Sequence, residues 1–492
     1  MDILKRPMFF AAIVCCVAAV ISIFDMPLSF VFLVITAAFL IHIVVYYKKY
    51  MYITVVLAIV IFTISLIGEF AKIAKIKEHD REKITGSFLV TEETVDHGLF
   101  NSVTLKEVNC DSISNNVKIL IFDYKKTELA TGDIVNATIK LSVVDKYNKY
   151  RISDYGSGIY ATANLTEIEK SGNYNLFYKT AGNIRSYVKN TVTSHFKSDT
   201  AGLLVALTTG DKTLLSDKFA SNIKTTGISH VVVVSGMHLA IIMMAIFWCM
   251  DRLFYNKYIR CVLSIVSVFI IAAVCGFTMS ILRAGIMFVI LGLAPTFNRE
   301  NDSLSSLLTA VTIVLIGAPF AVLNVSFQLS VLSTFAIIWV VPFYSQVIKQ
   351  KLNIKTKILM VFIDTFICSI SAIIFTLPVT IKIFGYISIV SPLTNFIIAY
   401  PVMIALIFNI AALIVSVIPL IKIFSEVLFF VAGLSARFIV FLVNMIAKLP
   451  ITVAVLPKSA FWWSVILIAT VIGYMYFYNF KIKRSDFSAN NI

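Results

Sequence analysis

Charged residues are scarce in this sequence. Asp, Glu, Lys and Arg make up 14% of the 492 residues, whereas hydrophobic residues make up 59%. Because a soluble domain must cover itself with polar side chains, so little charge excludes an ordinary soluble globular protein. Apolar stretches long enough for a helix to cross a hydrocarbon core of roughly 30 Å recur along the chain. The sequence therefore predicts a polytopic α-helical membrane protein.

Paired cysteines and clustered histidines are also missing. Six of the seven cysteines lie in apolar stretches, where a thiol behaves as a small hydrophobic group, and Cys110 stands alone in a more polar region. The sequence contains no CxxC pair and no HxHxDH run. We therefore expect no disulfide within the polar region, no metal site of the hydrolase type and no cofactor.

Nucleotide-binding motifs are incomplete. The stretch TTGDKTLLS at 208–216 ends like a phosphate-binding loop, but no glycine stands at the required distance before Gly210 and no strand pattern precedes it. DYGSGIY at 154–160 has two glycines, lacks a third and is not followed by a helix pattern, which is typical of a turn. We expect any energy from nucleotide hydrolysis to come from a partner protein.

About twelve apolar stretches are predicted to span the membrane as helices. They lie near residues 8–24, 27–47, 51–69, 228–250, 258–278, 281–297, 303–322, 327–348, 358–379, 392–418, 424–447 and 459–480. Lys5 and Arg6 precede the first stretch, and no small-residue cleavage site followed by a polar region comes after it. We therefore expect an uncleaved anchor at this end of the chain.

Basic residues concentrate on one side of this arrangement of spans. The short loops on that side contain Lys48, Lys49, Lys257, Arg260, Arg299, Lys349, Lys351, Lys355, Lys357, Lys422, Lys481, Lys483 and Arg484. Cytoplasmic loops are enriched in Lys and Arg. The pattern predicts a multi-pass protein of a bacterial plasma membrane, with both termini in the cytoplasm and residues from about 80 to about 200 outside.

The predicted external region has the sequence pattern of a β domain. Alternating runs such as GSFLVTEETV, VKILIFDY and DIVNATIKLSVV are separated by Gly, Asn and Asp, which predicts strands and turns. Five or six short strands in about 90 residues suit a small OB-like β-barrel. The following stretch, NLFYKTAGNIRSYVKNTVTSHF, has apolar residues at helical spacing and is predicted to lie on the membrane surface or against the membrane helices.

The net charge of +15 does not fall on this external region. Residues 80–200 contain 15 basic and 15 acidic residues, and the remainder of the chain contains 27 basic and 12 acidic residues. Much of the surplus is the basic bias of the cytoplasmic loops. Net charge is therefore weak evidence for binding nucleic acid.

Polar residues interrupt the apolar run ISHVVVVSGMHLA at 228–240. On one continuous helix Ser235 and His238 share a face, and His230 lies roughly 80° from His238. All three side chains then line one cavity. The alternative is that they form hydrogen bonds between packed helices, which is common in membrane bundles.

Arg283 lies near the middle of another apolar stretch. Inserting an arginine there costs roughly 2.5–3.5 kcal/mol unless the guanidinium reaches water or a partner. It either faces a polar path or extends to the outer interface. Polar side chains also occur in apolar stretches at Gln328, Ser330 and Asp364, and they too either face a polar path or bind a partner. For Asp364 the alternative is an ion pair on the cytoplasmic side.

Six short motifs follow one another in the second half of the chain. They are GDK at 210–212, TGxxH at 226–230, SGMH at 235–238, GFTMSILR at 276–283, FQLS at 327–330 and a Pro/Asn pair at 392 and 395. In this order they resemble the ComEC family, the inner-membrane DNA channels of natural competence. DYGSGIYATA at 154–163 also resembles the end of that family's external barrel.

The resemblance implies roles for the motif residues. Those expected to line a polar DNA path are His230, Ser235, His238, Arg283, Gln328 and Ser330. A turn is expected at Gly210, Asp211 and Lys212. Small or helix-breaking positions are expected at Gly227, Gly236, Gly276, Pro392 and Asn395.

The resemblance also implies a domain organisation. We expect a three-helix membrane segment over 1–70, the external OB-like domain over 80–175, amphipathic and linker helices over 176–227, a competence-type transmembrane channel domain over 228–480 and a cytoplasmic tail over 481–492. Many members of the family continue into a metallo-β-lactamase-like domain proposed as a nuclease, whereas this sequence stops at KIKRSDFSANNI.

The expected function is a channel for single-stranded DNA. The expected partners are single-stranded DNA, membrane lipid, a DNA receptor, a cytoplasmic DNA-dependent ATPase and a separate nuclease, and homo-oligomerisation stays open. Two other functions stay open as well. The same polar spans suit a transporter of another polyanion or a small solute. An intramembrane hydrolase using Ser235 and His238 needs an orienting group and an oxyanion site that the sequence does not identify, so we expect no enzymatic activity.

Overall fold

A computed structural model describes residues 7–24, 53–110, 117–144, 151–232, 234–294, 300–353, 356–450 and 452–489. Helices predominate in these ranges. In chain order they are α1 (Pro7–Phe24), α2 (Ile53–Glu78), α3 (Ile152–Gly156), α4 (Leu176–His195), α5 (Ser198–Thr209), α6 (Asp217–Thr225), α7 (Ser229–Val232), α8 (Gly236–Leu253), α9 (Lys257–Val274), α10 (Met279–Leu293), α11 (Ser303–Gly317), α12 (Val325–Trp339), α13 (Val341–Lys351), α14 (Lys357–Phe384), α15 (Ser391–Ser416), α16 (Lys422–Ile446) and α17 (Ala460–Ala489). The strands are β1 (Lys83–Val90), β2 (Val95–Asp96), β3 (Asn101–Asn109), β4 (Lys118–Asp123), β5 (Asp133–Val143), β6 (Ile159–Tyr174), β7 (Tyr386–Ser388) and β8 (Val453–Val455).

Eight helical segments of the described residues are long and apolar enough to cross a membrane. They are Val55–Glu78, Ser229–Leu253, Lys257–Val274, Val325–Lys351, Lys357–Phe384, Ser391–Ser416, Lys422–Ile446 and Ala460–Tyr478. Two shorter apolar helices, α10 and α11, coincide with two further predicted spans. The predicted span at 27–47 lies outside the described residues. The protein is therefore a helical membrane protein with a small sheet domain, and the number of about twelve spans stays a prediction.

The chain divides into two compact units. One consists of Met1–Leu215, Val233–Phe327 and Ala405–Gly433, and the other consists of Ser216–Val232, Gln328–Ile404 and Leu434–Ile492. The sequence motifs are distributed between the two units. The first unit contains the GDK, SGMH and GFTMSILR motifs. The second unit contains the TGxxH motif, the Pro/Asn pair and residues 328–330 of FQLS.

The sheet domain of the first unit is formed by β1 to β6. Its strand order is β1-β5-β6-β4-β3-β2, and β1 also pairs with β3, so the pairings return to the first strand. All of these pairs are antiparallel except β4 with β6. The alternating sequence of β4, KILIFD, explains why one face of that strand is buried and the other is half-exposed. The predicted OB-like barrel stays a prediction.

Helix α4 joins this sheet domain to apolar helices of the same unit. At one end, a Cβ on Gly132 would lie 2.7 Å from the Lys179 Cα, so the β4–β5 connection lies directly against the helix. Further along, the Arg185 guanidinium donates to the carbonyls of Ala273 and Val274 at the end of α9, at 2.7 and 2.6 Å. Arginine at a helix C-terminus satisfies carbonyls that the helix leaves unpaired.

The predicted span at 228–250 is not one continuous helix. After the short α7, Ser235 has an extended backbone (φ −116°, ψ 172°), and α8 begins at Gly236. Four consecutive valines at 231–234 restrict side-chain rotamers in a helix, and serine favours the position just before a helix. His230 and His238 therefore lie on separate helices, and the expectation that His230, Ser235 and His238 line one cavity stays a prediction.

Candidate functional site

The break between α7 and α8, which we call the first helix break, ends in a reciprocal cap at the start of α8. The Ser235 backbone N–H donates to His238 Nδ1 at 3.0 Å, and Ser235 Oγ lies 3.0 Å from the same nitrogen. His238 takes the place that glutamate or glutamine usually occupies in a capping box. Its side chain is 0% exposed. Both residues therefore hold the helix start together.

Arg283 of α10 packs against this helix start. Its side chain is 4% exposed, and a Cβ on Gly236 would lie 3.1 Å from Arg283 Nη2. Arg283 Nη1 lies 3.0 Å from the Met287 sulfur, within reach of a weak hydrogen bond. Glycine at 236 therefore leaves room for the guanidinium, and the arginine is buried beside the start of the SGMH helix. We call Ser235, Gly236, His238 and Arg283 the first cluster.

Gly276 makes the turn that leads into α10. Its φ is +79° and that of Phe277 is +52°, which is the left-handed region that glycine tolerates best. A Cβ on Gly276 would lie 3.6 Å from Arg185 Nη2. Arg185, which is buried, was missed by sequence reasoning because its partners lie almost 90 residues away and it belongs to none of the motifs.

The GDK turn follows α5 and is held by contacts of the Asp211 side chain. Gly210 ends the helix with φ +85°. Asp211 accepts from the Thr213 backbone N–H at 2.8 Å, and its carboxylate lies 3.5 Å from Lys189 Nζ of α4. Lys212 is exposed. The turn thus ties α5 to α4, and Asp211 acts as its anchor.

The second helix break comes earlier in the chain, between α6 and α7, at Gly227. Its φ is +75°, and a Cβ there would lie 2.6 Å from Ser391 Cβ and 2.8 Å from Ser388 Cβ. Ser391 Oγ donates to the Gly227 carbonyl at 3.3 Å. Only glycine fits both the left-handed conformation and this close approach. The TGxxH motif and the start of α15 therefore meet at this glycine.

Asn395 extends this meeting point by one turn of α15. Its Nδ2 donates to Ser391 Oγ at 3.2 Å and lies 3.5 Å from Ser369 Oγ of α14. Pro392 occupies the second position of α15, where a helix does not need the missing N–H. Asn395 Oδ1 and Ser388 Oγ are buried atoms with no hydrogen-bond partner in the described part of the chain.

His230 completes this group of residues. Its ring lies near the backbone of Gly227, and the residue is exposed, in contrast to the buried His238. We call Gly227, His230, Ser388, Ser391 and Asn395 the second cluster. The two serines belong to none of the predicted site residues, because only the folded chain places them at the glycine.

Gln328 and Ser330 lie in the first turns of α12, and both are half-buried. Within the described ranges, no group of three or more His, Cys, Asp or Glu side chains is close enough to hold a metal ion. The two clusters offer hydroxyl, amide and imidazole groups, which donate and accept hydrogen bonds.

The sequence comparisons agree with the resemblance seen in the motifs. The family model for the competence protein matches residues 207–481, more than half of the chain. The chain belongs to the competence protein family. The ComE operon protein 3 of Bacillus subtilis (strain 168) is 24% identical over 245 residues, which is 50% of this chain and 30% of that protein. The chain therefore matches less than a third of that relative's length. No solved structure matches the chain.

Proposed function

We propose that this protein carries single-stranded DNA across the plasma membrane during natural competence. The observation that carries the proposal is the family match over 207–481, which covers both helix breaks and all the apolar helices from α8 to α16. A DNA strand crossing a bilayer needs a wet path with hydrogen-bond donors for phosphates. The second cluster supports such a path, because its histidine is exposed and an imidazole N–H can donate to a phosphate.

Interrupted helices support a transport role on physical grounds. Non-helical backbone at membrane depth is tolerated only where it is buried in protein or lines a water-filled cavity. Transporters use the ends of such broken helices to contact their substrates. At the break, the Gly227 carbonyl accepts from Ser391 of α15, and Asn395 of α15 reaches Ser369 of α14, so neutral polar side chains surround this point. That arrangement suits a substrate that slides past, since no fixed charge in the cluster would hold it.

The sheet domain is proposed to be an external OB-like barrel that orients the strand. The returning pairing of β1 with β3 and the parallel pairing of β4 with β6 support a small closed barrel. Its balanced charge indicates that it contributes orientation more than phosphate affinity. In this proposal both termini are cytoplasmic, and a receptor, an ATPase and a nuclease are separate proteins.

A deletion of the gene tests the proposed function. Transformation should fall below detection while labelled DNA still binds to the cell surface, because the receptor acts before the channel. Complementation with the unchanged protein should restore transformation. Normal transformation in the deletion strain would contradict the proposal, and so would loss of surface DNA binding in step with import.

One contact favours a second candidate function, an intramembrane serine hydrolase. Ser235 Oγ and His238 Nδ1 are 3.0 Å apart, which is the geometry of a nucleophile and its base. However, Nδ1 also accepts the Ser235 backbone N–H, and the Arg283 guanidinium packs beside Gly236. A nearby cation disfavours the protonated imidazole that such a mechanism needs. Labelling of Ser235 by a fluorophosphonate probe would support the hydrolase, and its absence would support the capping role.

A further inference from the structure

Two lysines face each other on the sheet domain. Lys106 of β3 and Lys118 of β4 are directly opposite in the register of these strands, and both are half-buried. Like charges in a cross-strand pair destabilise a sheet. Neither ammonium forms an ion pair with another of the described residues. Among the residues that the structure describes, the pair therefore has no anion that balances it.

A third ammonium, that of Lys72 on α2, is close to this pair. Partial burial, the Lys118 ammonium and the Lys72 ammonium together lower the pKa of Lys106. Lys72 pairs with Glu69 at 2.7 Å, and the same carboxylate accepts the Tyr160 hydroxyl at 2.8 Å. Glu69 thus pairs with Lys72 and with neither of the other two lysines, so a positive surplus remains among the described residues.

The position of Lys72 on its helix sets the level of this cluster in the membrane. The candidate span Val55–Glu78 has no charged residue up to Gly68. The last large apolar residue of this uncharged part is Ile67. Lys72 lies about 7 Å further along the axis at the rise of an α-helix. The headgroup layer of a bilayer occupies roughly that distance beyond the hydrocarbon core. With the hydrocarbon core ending at Gly68, Lys72 lies at headgroup depth, and Lys106 is close enough to sense its charge.

A cavity of about 220 Å³ adjoins the same region. Its walls are formed mainly by Ile73, Ile76, Val143, Val144 and Tyr160. It is larger than apolar cavities of about 150 Å³ that accept a benzene molecule. Tyr160 forms part of its wall and donates to Glu69, which pairs with Lys72, so the cavity is linked to the lysines through this carboxylate.

We propose that Lys72, Lys106 and Lys118 bind the phosphate of an anionic phospholipid headgroup, and that the adjoining cavity takes apolar atoms of the same lipid. The lysines supply charge-assisted donors for phosphate oxygens. A lipid fits better than a DNA strand because Lys72 lies at headgroup depth and the ligand must have an apolar portion. Lipid binding here holds the sheet domain to the outer surface of the bilayer, whether or not the protein conducts DNA.

The chain offers a matched control for this site. Lys83 of β1 and Lys140 of β5 are also directly opposite each other, but both are exposed. An exposed pair keeps its water and needs no bound anion. The double variants K106Q/K118Q and K83Q/K140Q therefore change the same number of charges in the same kind of pair.

The experiment measures lipid binding by the purified full-length chain in neutral detergent. Phosphatidylglycerol is titrated against phosphatidylcholine, and bound lipid is counted by native mass spectrometry with thermal unfolding as a second readout. We expect the unchanged protein to prefer phosphatidylglycerol. K106Q/K118Q should weaken its affinity roughly tenfold, as expected for the loss of hydrogen bonds from charged donors. K83Q/K140Q should bind like the unchanged protein.

The folding of the variant is checked in phosphatidylcholine alone. Because the substitution removes a repulsion, K106Q/K118Q should unfold at a temperature no lower than that of the unchanged protein. A lower unfolding temperature would overturn the proposal, since the pair would then stabilise the sheet without a ligand. Equal binding of the two lipids, or equal loss of binding in both double variants, would also overturn it.

Two further titrations identify the source of the phosphate. Inorganic phosphate should stabilise the protein much less than phosphatidylglycerol, because it cannot fill the cavity. Equal stabilisation through the same lysines would overturn the lipid assignment in favour of a free anion. Binding of a single-stranded oligonucleotide that is lost in K106Q/K118Q and exceeds lipid binding would overturn it in favour of DNA. None of these readouts depends on DNA import.

Discussion

The two helix breaks have similar residues but different surroundings. At the first, Ser235 and His238 cap α8, and both His238 and Arg283 are buried at 0% and 4% exposure. At the second, His230 is exposed, and two buried oxygens have no partner among the described residues. A cluster whose histidine and arginine are buried stabilises a fold, whereas an exposed histidine is available to a substrate.

The comparison separates two roles that the motifs alone do not distinguish. We infer that the first cluster fixes where α8 begins and that the second contributes to the path of the transported strand. Replacing the capping side chain of His238 should therefore change protein abundance and import together. Replacing His230 should change import alone.

The largest effect is expected from Gly227→Ala. The substitution combines a left-handed backbone with a Cβ placed 2.6 Å from Ser391 Cβ. Together these destabilise the second unit by roughly 2–5 kcal/mol, and transformation should be abolished. Membrane abundance by immunoblotting and transformation frequency are measured side by side.

Gly473→Ala is the matched control for this substitution. It lies in α17 of the same unit, and a Cβ there meets nothing within 4 Å. Its abundance and transformation should be unchanged. Normal transformation by Gly227→Ala would show that α15 does not need to approach this glycine so closely.

A large loss of import at normal abundance is expected from His230→Phe. The residue is exposed, so an aromatic ring of similar size should not disturb packing. Loss of the polar ring should lower transformation at least about tenfold if the imidazole contacts the strand, since a hydrogen bond to a charged group contributes about 1.5–3 kcal/mol. His230→Asn, which keeps a polar side chain, should retain more activity than His230→Phe. Equal activity of both variants to the unchanged protein would remove His230 from the path.

A moderate loss of stability is expected from His238→Leu. It removes the acceptor of the Ser235 N–H, and loss of a helix cap costs about 1–2 kcal/mol. Membrane abundance should fall, and import should fall in proportion. His238→Gln should recover abundance, because glutamine is a normal partner in a capping box. Normal abundance of His238→Leu with strongly reduced import would instead place His238 in the path.

The smallest effect is expected from Gly236→Ala. The added Cβ lies 3.1 Å from Arg283 Nη2, which is the end of a flexible side chain and can shift. The cost should be below about 1 kcal/mol, with import close to that of the unchanged protein. A loss as severe as that of Gly227→Ala would show that the first cluster is as tightly constrained as the second.

Composition and periodicity were sufficient for the membrane class, the position of the sheet domain and eight of the candidate spans. The break before α8 was missed because an apolar run of the right length does not show where a backbone leaves the helix. The cap itself was hidden, since a histidine stands where glutamate or glutamine is usual.

The second cluster could be predicted only in part. Gly227, His230, Pro392 and Asn395 were singled out by their motifs, but the contact of Gly227 with Ser391 joins residues more than 160 positions apart. Arg185 was missed for the same reason, because its acceptors are carbonyls of a distant helix end. Long-range packing determines such contacts, and local sequence patterns therefore cannot predict them.

Photo-crosslinking to a stalled DNA strand tests the central claim most directly. Benzoylphenylalanine is placed at His230 or at Met244, which is an exposed residue of α8 and serves as the control. A donor DNA strand with a bulky terminal group is taken up until it stops, the cells are illuminated, and DNA attached to the protein is quantified. The account predicts attachment at position 230 and none above background at position 244. Attachment at 244 with none at 230, in variants of normal abundance, would contradict the assignment of the second cluster to the DNA path.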